Sequence, residues 1–218
     1  MRIVIGGLMT WRCEMANKEN KVQFNLKNVH YAVIQDDEDV ATWGTPVKVP
    51  GAVTLTLDPQ GDITPFYADG VIYYQSVANN GYSGDLEMAR SPDQFMKDIF
   101  GFADDETDHV LVENANIEPK AFALLYQIDG DADNQYYCLY NCTATRPGIG
   151  STTNTESKEP QTQSSSISAA PMEDGKVMAR TTSQTPENVK TAWFTKVYEK
   201  TDAEAAGLEQ TSVDLQKA

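Results

Sequence analysis

The chain has 218 residues, 40 % of them hydrophobic and 22 % charged, with 32 acidic against 17 basic side chains and a formal net charge of −15. This is the composition of one globular domain with or without arms: too apolar for a wholly disordered chain, and without the run of about 20 apolar residues that a membrane helix needs. The acidic excess argues against a nucleic-acid-binding surface, which needs a local surplus of Lys and Arg, and three cysteines are too few for a disulfide framework.

Residues 1–14 (MRIVIGGLMTWRCE) do not read as a signal peptide. Gly6 and Gly7 interrupt the apolar stretch, and no small-residue cleavage site follows it. Trp11 is encoded by TGG; with AGG for Arg12 the message reads TGGAGG two codons before the ATG of Met15, as a bacterial ribosome-binding site does. Translation is therefore expected to start at Met15, with 1–14 a translated leader, 15–200 the domain and 201–218 a loose, small and polar tail.

From Lys21 onward the dominant period is two, the mark of half-buried strands. Strands are expected at 27–34, at Val53 to Asp58 (apolar Val53, Leu55, Leu57), and at 71–77, 84–89 and 109–113. Phe122, Leu124, Tyr126 and Ile128 alternate with their neighbours, as do Tyr136, Cys138, Tyr140 and Cys142, and Gly130 to Asn134 between them makes a hairpin. Further strands are expected at 164–170 and 176–182. One helix stands out: Ser91 as N-cap, Pro92 at the first helical position, an apolar stripe of Phe95, Met96, Ile99 and Phe100, and Gly101 to close. A second is expected from Pro186 to Lys200. The fold class is mainly β, a sandwich or barrel with a flanking helix and extended loops or arms. Two segments are weakly patterned, 58–70 and 147–163. The first carries Ile63, Phe66 and Tyr67, which favour a contact role over disorder.

Motifs for chemistry are weak. Asp129, Asp131 and Asp133 resemble the opening of a calcium loop, but Asn134 and Tyr140 stand where Gly and Glu belong, and strand alternation resumes by Tyr136. Cys138 and Cys142 on one strand lie about 13 Å apart, too far for a disulfide, and read as buried side chains on one face. His30 and His109 are not near any cysteine in sequence, so neither a zinc site nor a Ser-His-Asp arrangement is indicated. The acid runs 36–39 and 104–108 read as solvated loops. No catalytic residue, metal or cofactor is expected.

The ordered segments KVQFNLKNVHY (21–31), WGTPVKVPGAVTLTLD (43–58), GDITPFYAD (61–69), ANNGY (78–82), VENAN (112–116) and YNCTATRP (140–147) resemble the major tail protein of long-tailed, non-contractile bacteriophages of Gram-positive hosts. The resemblance spans about 21–200. It implies a β-sandwich tail tube subunit that forms hexameric rings stacked into a hollow tube, joined by long loops and terminal arms. It further implies tape measure, tail tip and terminator proteins as partners, DNA passing through the lumen without specific binding, and no membrane. The location implied is the virion tail, with assembly in the host cytoplasm. An acidic lumen suits such a conduit, because it repels phosphate. On this reading Ile63, Phe66 and Tyr67 are inter-subunit contacts. The alternative is a soluble β-sandwich carbohydrate-binding module, with Tyr73, Tyr74, Tyr136, Tyr137 and Tyr140 as stacking platforms; a carboxylate hydrolase lacks any constellation to support it.

Overall fold

The computed structural model describes residues 19–37, 40–105, 107–153 and 159–200; the expected leader and the 201–218 tail lie outside them. The protein is mainly β. In chain order the elements are β1 (Gln23–Asp37), β2 (Val40–Trp43), β3 (Val47–Lys48), β4 (Ala52–Gln60), β5 (Ile63–Ala68), β6 (Val71–Val77) and β7 (Gly81–Met88). After these come α1 (Asp93–Phe100), β8 (Ala103–Asp104), β9 (Leu111–Val112), β10 (Phe122–Gly130), β11 (Gln135–Ala144), β12 (Gln163–Ala169), β13 (Met178–Arg180) and α2 (Glu187–Ala192).

One antiparallel sheet runs β2-β1-β10-β11-β12-β7-β4, with β3 added to β1 and β13 to β11. Strands from both ends of this order feed a single cluster: Val29 and Tyr31 of β1, Phe122 and Leu124 of β10, Leu139 of β11, Ile167 of β12, Leu86 of β7, and the partly buried Leu55 and Leu57 of β4. The sheet therefore curls around its own core, and β4 comes back to β1. Helix α1 packs into this core. Phe95 meets Tyr31 edge-on at 5.0 Å and Phe122 at 5.9 Å, and the Tyr31 hydroxyl donates to Asp98 at 2.7 Å.

The helix ends as expected, on Gly101 at φ 67, whose N–H reaches the Lys97 carbonyl. Its start differs. Pro92 occupies the cap position without a side-chain cap bond, and Ser91 lies one residue further out. The Ser91 N–H instead donates to Gln163 at 2.7 Å, and its buried hydroxyl has no partner among the described residues. Anchoring the segment to β12 displaces the expected cap.

A second cluster covers the outer face of β1, β10 and β11: Ala32, Ala123, Leu125, Cys138 and Tyr140 beneath Trp193 and Val197. Here the expected helix from Pro186 to Lys200 shortens to α2, six residues. Beyond Ala192 the chain runs over the sheet, where Trp193 Nε1–H donates to the Tyr137 carbonyl at 3.2 Å and the Tyr198 carbonyl accepts from Tyr140 at 2.9 Å. Aromatic and β-branched residues with weak helix preference follow a different geometry once these partners exist.

The same two faces correct the reading of the cysteines. Both are buried, but Cys142 belongs to the inner cluster and Cys138 to the outer. Leu124 pairs with Leu139 and Phe122 with Cys142, so β11 spends one residue more than β10 between those pairs. A bulge of this kind reverses the in–out alternation beyond it. Strand expectations at 109–113 and 176–182 survive as the short β9 and β13.

Candidate assembly interface

Segment 58–70 is not irregular. β4 runs through Asp58 and Pro59 to Gln60, and β5 follows after two residues. On the return path β6 leads into β7. Gln60 pairs with Gly81, the Asn80 N–H donates to the Gln60 carbonyl at 2.8 Å, and the Ala78 N–H donates to the Asp62 carbonyl at 3.0 Å. Ile63 then pairs with Val77. The four strands are thus one long antiparallel hairpin whose root, β4–β7, belongs to the main sheet, and whose distal half, β5–β6, pairs only with itself among the described residues. Six residues of β5 extend about 20 Å.

Its tip explains its register. Ala68 pairs with Val71, and the two residues between, Asp69 and Gly70, have φ of 52° and 78°. Both signs are positive, as the tight two-residue hairpin turn requires, and Asp-Gly is a favoured pair for it. Pro65 has no N–H to give, which β5 tolerates because its outer edge pairs with no described strand.

The distal hairpin is apolar and is covered by no other described element. Ile63, Phe66 and Tyr67 are 59, 60 and 62 % exposed, and Val71, Ile72, Tyr73, Tyr74 and Val77 are 54–74 % exposed. Register assigns the faces. Tyr73 is the extra residue where Phe66↔Tyr74 gives way to Tyr67↔Ile72. One face then carries Ile63, Pro65, Tyr67, Ile72 and Val77 with Gln75; the other carries Phe66, Ala68, Val71 and Tyr74 with Thr64 and Ser76. Among the described residues neither face has a core beneath it. An isolated two-stranded hairpin is at best marginally stable in water, and a contiguous apolar surface of this size marks an interaction site.

The structure thus brings Ile63, Phe66 and Tyr67 together on one element, though divided between its two faces. The other half of the patch, Val71 to Tyr74, read from sequence as an ordinary half-buried strand. Its signal is the Asp69-Gly70 pair flanked by apolar residues, and the lack of alternation in Val71-Ile72-Tyr73-Tyr74. The five tyrosines weighed as sugar platforms do not share a surface: Tyr73 and Tyr74 are on the hairpin, Tyr137 is buried in the inner cluster, and Tyr136 and Tyr140 pack in the outer one.

Other sequence candidates are occupied by local structure. Asp129 pairs with Lys27 at 2.6 Å, which holds its carboxyl below the ordinary range; Asp131 accepts from the Lys21 N–H, and Asp133 pairs with the buried Lys190. The Asp105 carboxylate, also held low, accepts from the N–H groups of Thr107 and Asp108. His30 stacks on Phe194 at 4.7 Å, and His109 lies exposed at φ 55. No helix among the described residues is long and apolar enough to cross a membrane. Compared with models of known protein families and with curated protein sequences, the chain matches none.

Proposed function

We propose that this chain is a structural, non-enzymatic subunit that assembles with copies of itself into the hexameric, stacked rings of a long-tailed phage tail tube, the conduit for DNA ejection. Its place is the virion tail, after assembly in the host cytoplasm beside tape measure, tip and terminator proteins. The observation that carries the self-assembly reading is the distal hairpin, with eight large apolar side chains in water and no partner within the chain among the described residues. The ordered segments between Lys21 and Pro147 direct that reading to a tail tube. The charge supports it too: from Pro50 to Ala89 there are five acids and no Lys or Arg. Walls of that sign repel a passing phosphate backbone.

Phe66→Asp tests the reading. Phe66 is 60 % exposed, so the variant folds as a monomer with unchanged circular dichroism. A charge at a buried anchor weakens assembly at least about thirtyfold, the equivalent of a 2 kcal/mol contact. Tubes that form as readily from Phe66→Asp as from the parent chain refute the contact role of the hairpin.

A further inference from the structure

Among the described residues the curled sheet does not close. β4 pairs with β7 on one edge and with no described strand on the other, and among the described residues β1 is paired on its outer edge only from Val29 onward, to Val49, β3 and β2. Between the open edge of β4 and the first half of β1 lies a groove of about 430 Å³. Its lining mixes apolar side chains, Phe24 and Leu26 from β1, Val53, Leu55 and Leu57 from β4 and Ile128 behind, with the polar Gln23 and Thr54. Phe24 and Val53 on its rim are 57 and 50 % exposed. Unpaired strand edges beside an apolar groove are the elements by which a sheet accepts an added strand.

We propose that this seam receives the distal hairpin of a second copy of the chain, the face of β5–β6 that carries Phe66, Val71 and Tyr74 covering Phe24 and Val53 while a hairpin edge pairs with β4. The proposal rests on the self-assembly reading and names its acceptor surface. Three observations select a second copy as occupant. The chain's own hairpin stands in solvent, leaving its own seam empty of it. Its eight large apolar side chains, at 54–74 % exposure, present on the order of 800 Å² summed over both faces, so one face supplies about half of one partner's contribution to a stable interface and strand pairing along β4 adds to it. Donor and acceptor are also different surfaces of one chain, so each copy gives one hairpin and takes one. Such a head-to-tail contact builds rings or open stacks, not a closed two-fold dimer.

The test uses the full chain with Cys13→Ser, leaving only the buried Cys138 and Cys142. One protein carries Phe24→Cys, a second Tyr73→Cys, and the two are mixed under assembly conditions with mild oxidant. The mixture is expected to yield a dimer cross-linked between position 24 of one copy and position 73 of the other. In parallel, Val53→Asp keeps its hairpin and loses its seam, while Phe66→Asp keeps its seam and loses its hairpin. Each alone is expected to stay monomeric, and the two together to form a one-to-one dimer. Rings or tubes without the cross-link, built equally well by Val53→Asp, overturn the seam and leave self-assembly standing. Absence of both assembly and cross-link overturns both. Slow maleimide labelling of the Phe24→Cys monomer at position 24, made fast by deleting residues 1–18, shows that the chain fills its own seam and overturns the proposal.

Discussion

Cys138 and Cys142 show how much one residue of register decides. Burial pushes the Cys138 thiol up to about 12 and Cys142 higher still. A thiolate reagent at pH 8 therefore finds almost no reactive form and no access. Peptide mapping is expected to show both labelling at least roughly a hundredfold more slowly in the native protein than in denaturant; equal rates contradict the burial. His30 gives a second check. Its burial lowers its pKa below the ordinary 6.5, against the raising effect of the Asn28 carbonyl it contacts at 2.8 Å. As pH falls through 6.5 the unfolded chain takes up the proton first, so stability declines from there down to the folded-state value. The melting temperature is expected to fall between about pH 7 and 5.5, and His30→Gln to remove His30's share of that fall. Alternation alone made both cysteines internal, which they are. It could not separate their faces, because nothing in Leu139-Tyr140-Asn141-Cys142 announces a bulge.

Among the elements, those with a strong period and local punctuation were legible. α1 was, since its stripe and Gly101 are local facts, and Phe95→Ala is expected to cost about 3–5 kcal/mol in chemical denaturation because that ring fills the inner core. α2 was legible only in its first turn, for its end is set by contacts with β11, more than fifty residues away in sequence. The buried Lys190 on α2 ties it to Asp133 in the β10–β11 turn, where the Asp133 side chain is 31 % exposed. Lys190→Met is expected to cost on the order of 2 kcal/mol, between a surface pair and a fully buried one. The hairpin was legible in residues but not in form. Pro59, Gly61 and Pro65 read as loop because edge strands tolerate what central strands do not. Gly70→Val puts a branched side chain at φ 78 and strains the tip by about 1 kcal/mol or more. Because the tip touches no core among the described residues, the melting temperature of the domain is expected to hold while the concentration for assembly rises about fivefold or more.

For the whole molecule, the two clusters on opposite faces of β10 and β11 account for a stable domain without β5 and β6. The sheet's inner and outer packing follow from alternation, and most of that was readable. What a single chain cannot show in its sequence is which apolar residues have no partner, because Ile63, Phe66 and Tyr67 look much like core residues until the fold leaves them outside. That surplus is the basis for a subunit that completes itself in an assembly. The most direct measurement is negative-stain electron microscopy of the purified chain started at Met15, with its mass in solution across a concentration series. Hexameric rings or hollow tubes, growing with concentration and lost in Phe66→Asp, are the predicted result. A monodisperse monomer at every concentration, with and without added tail tips, contradicts it.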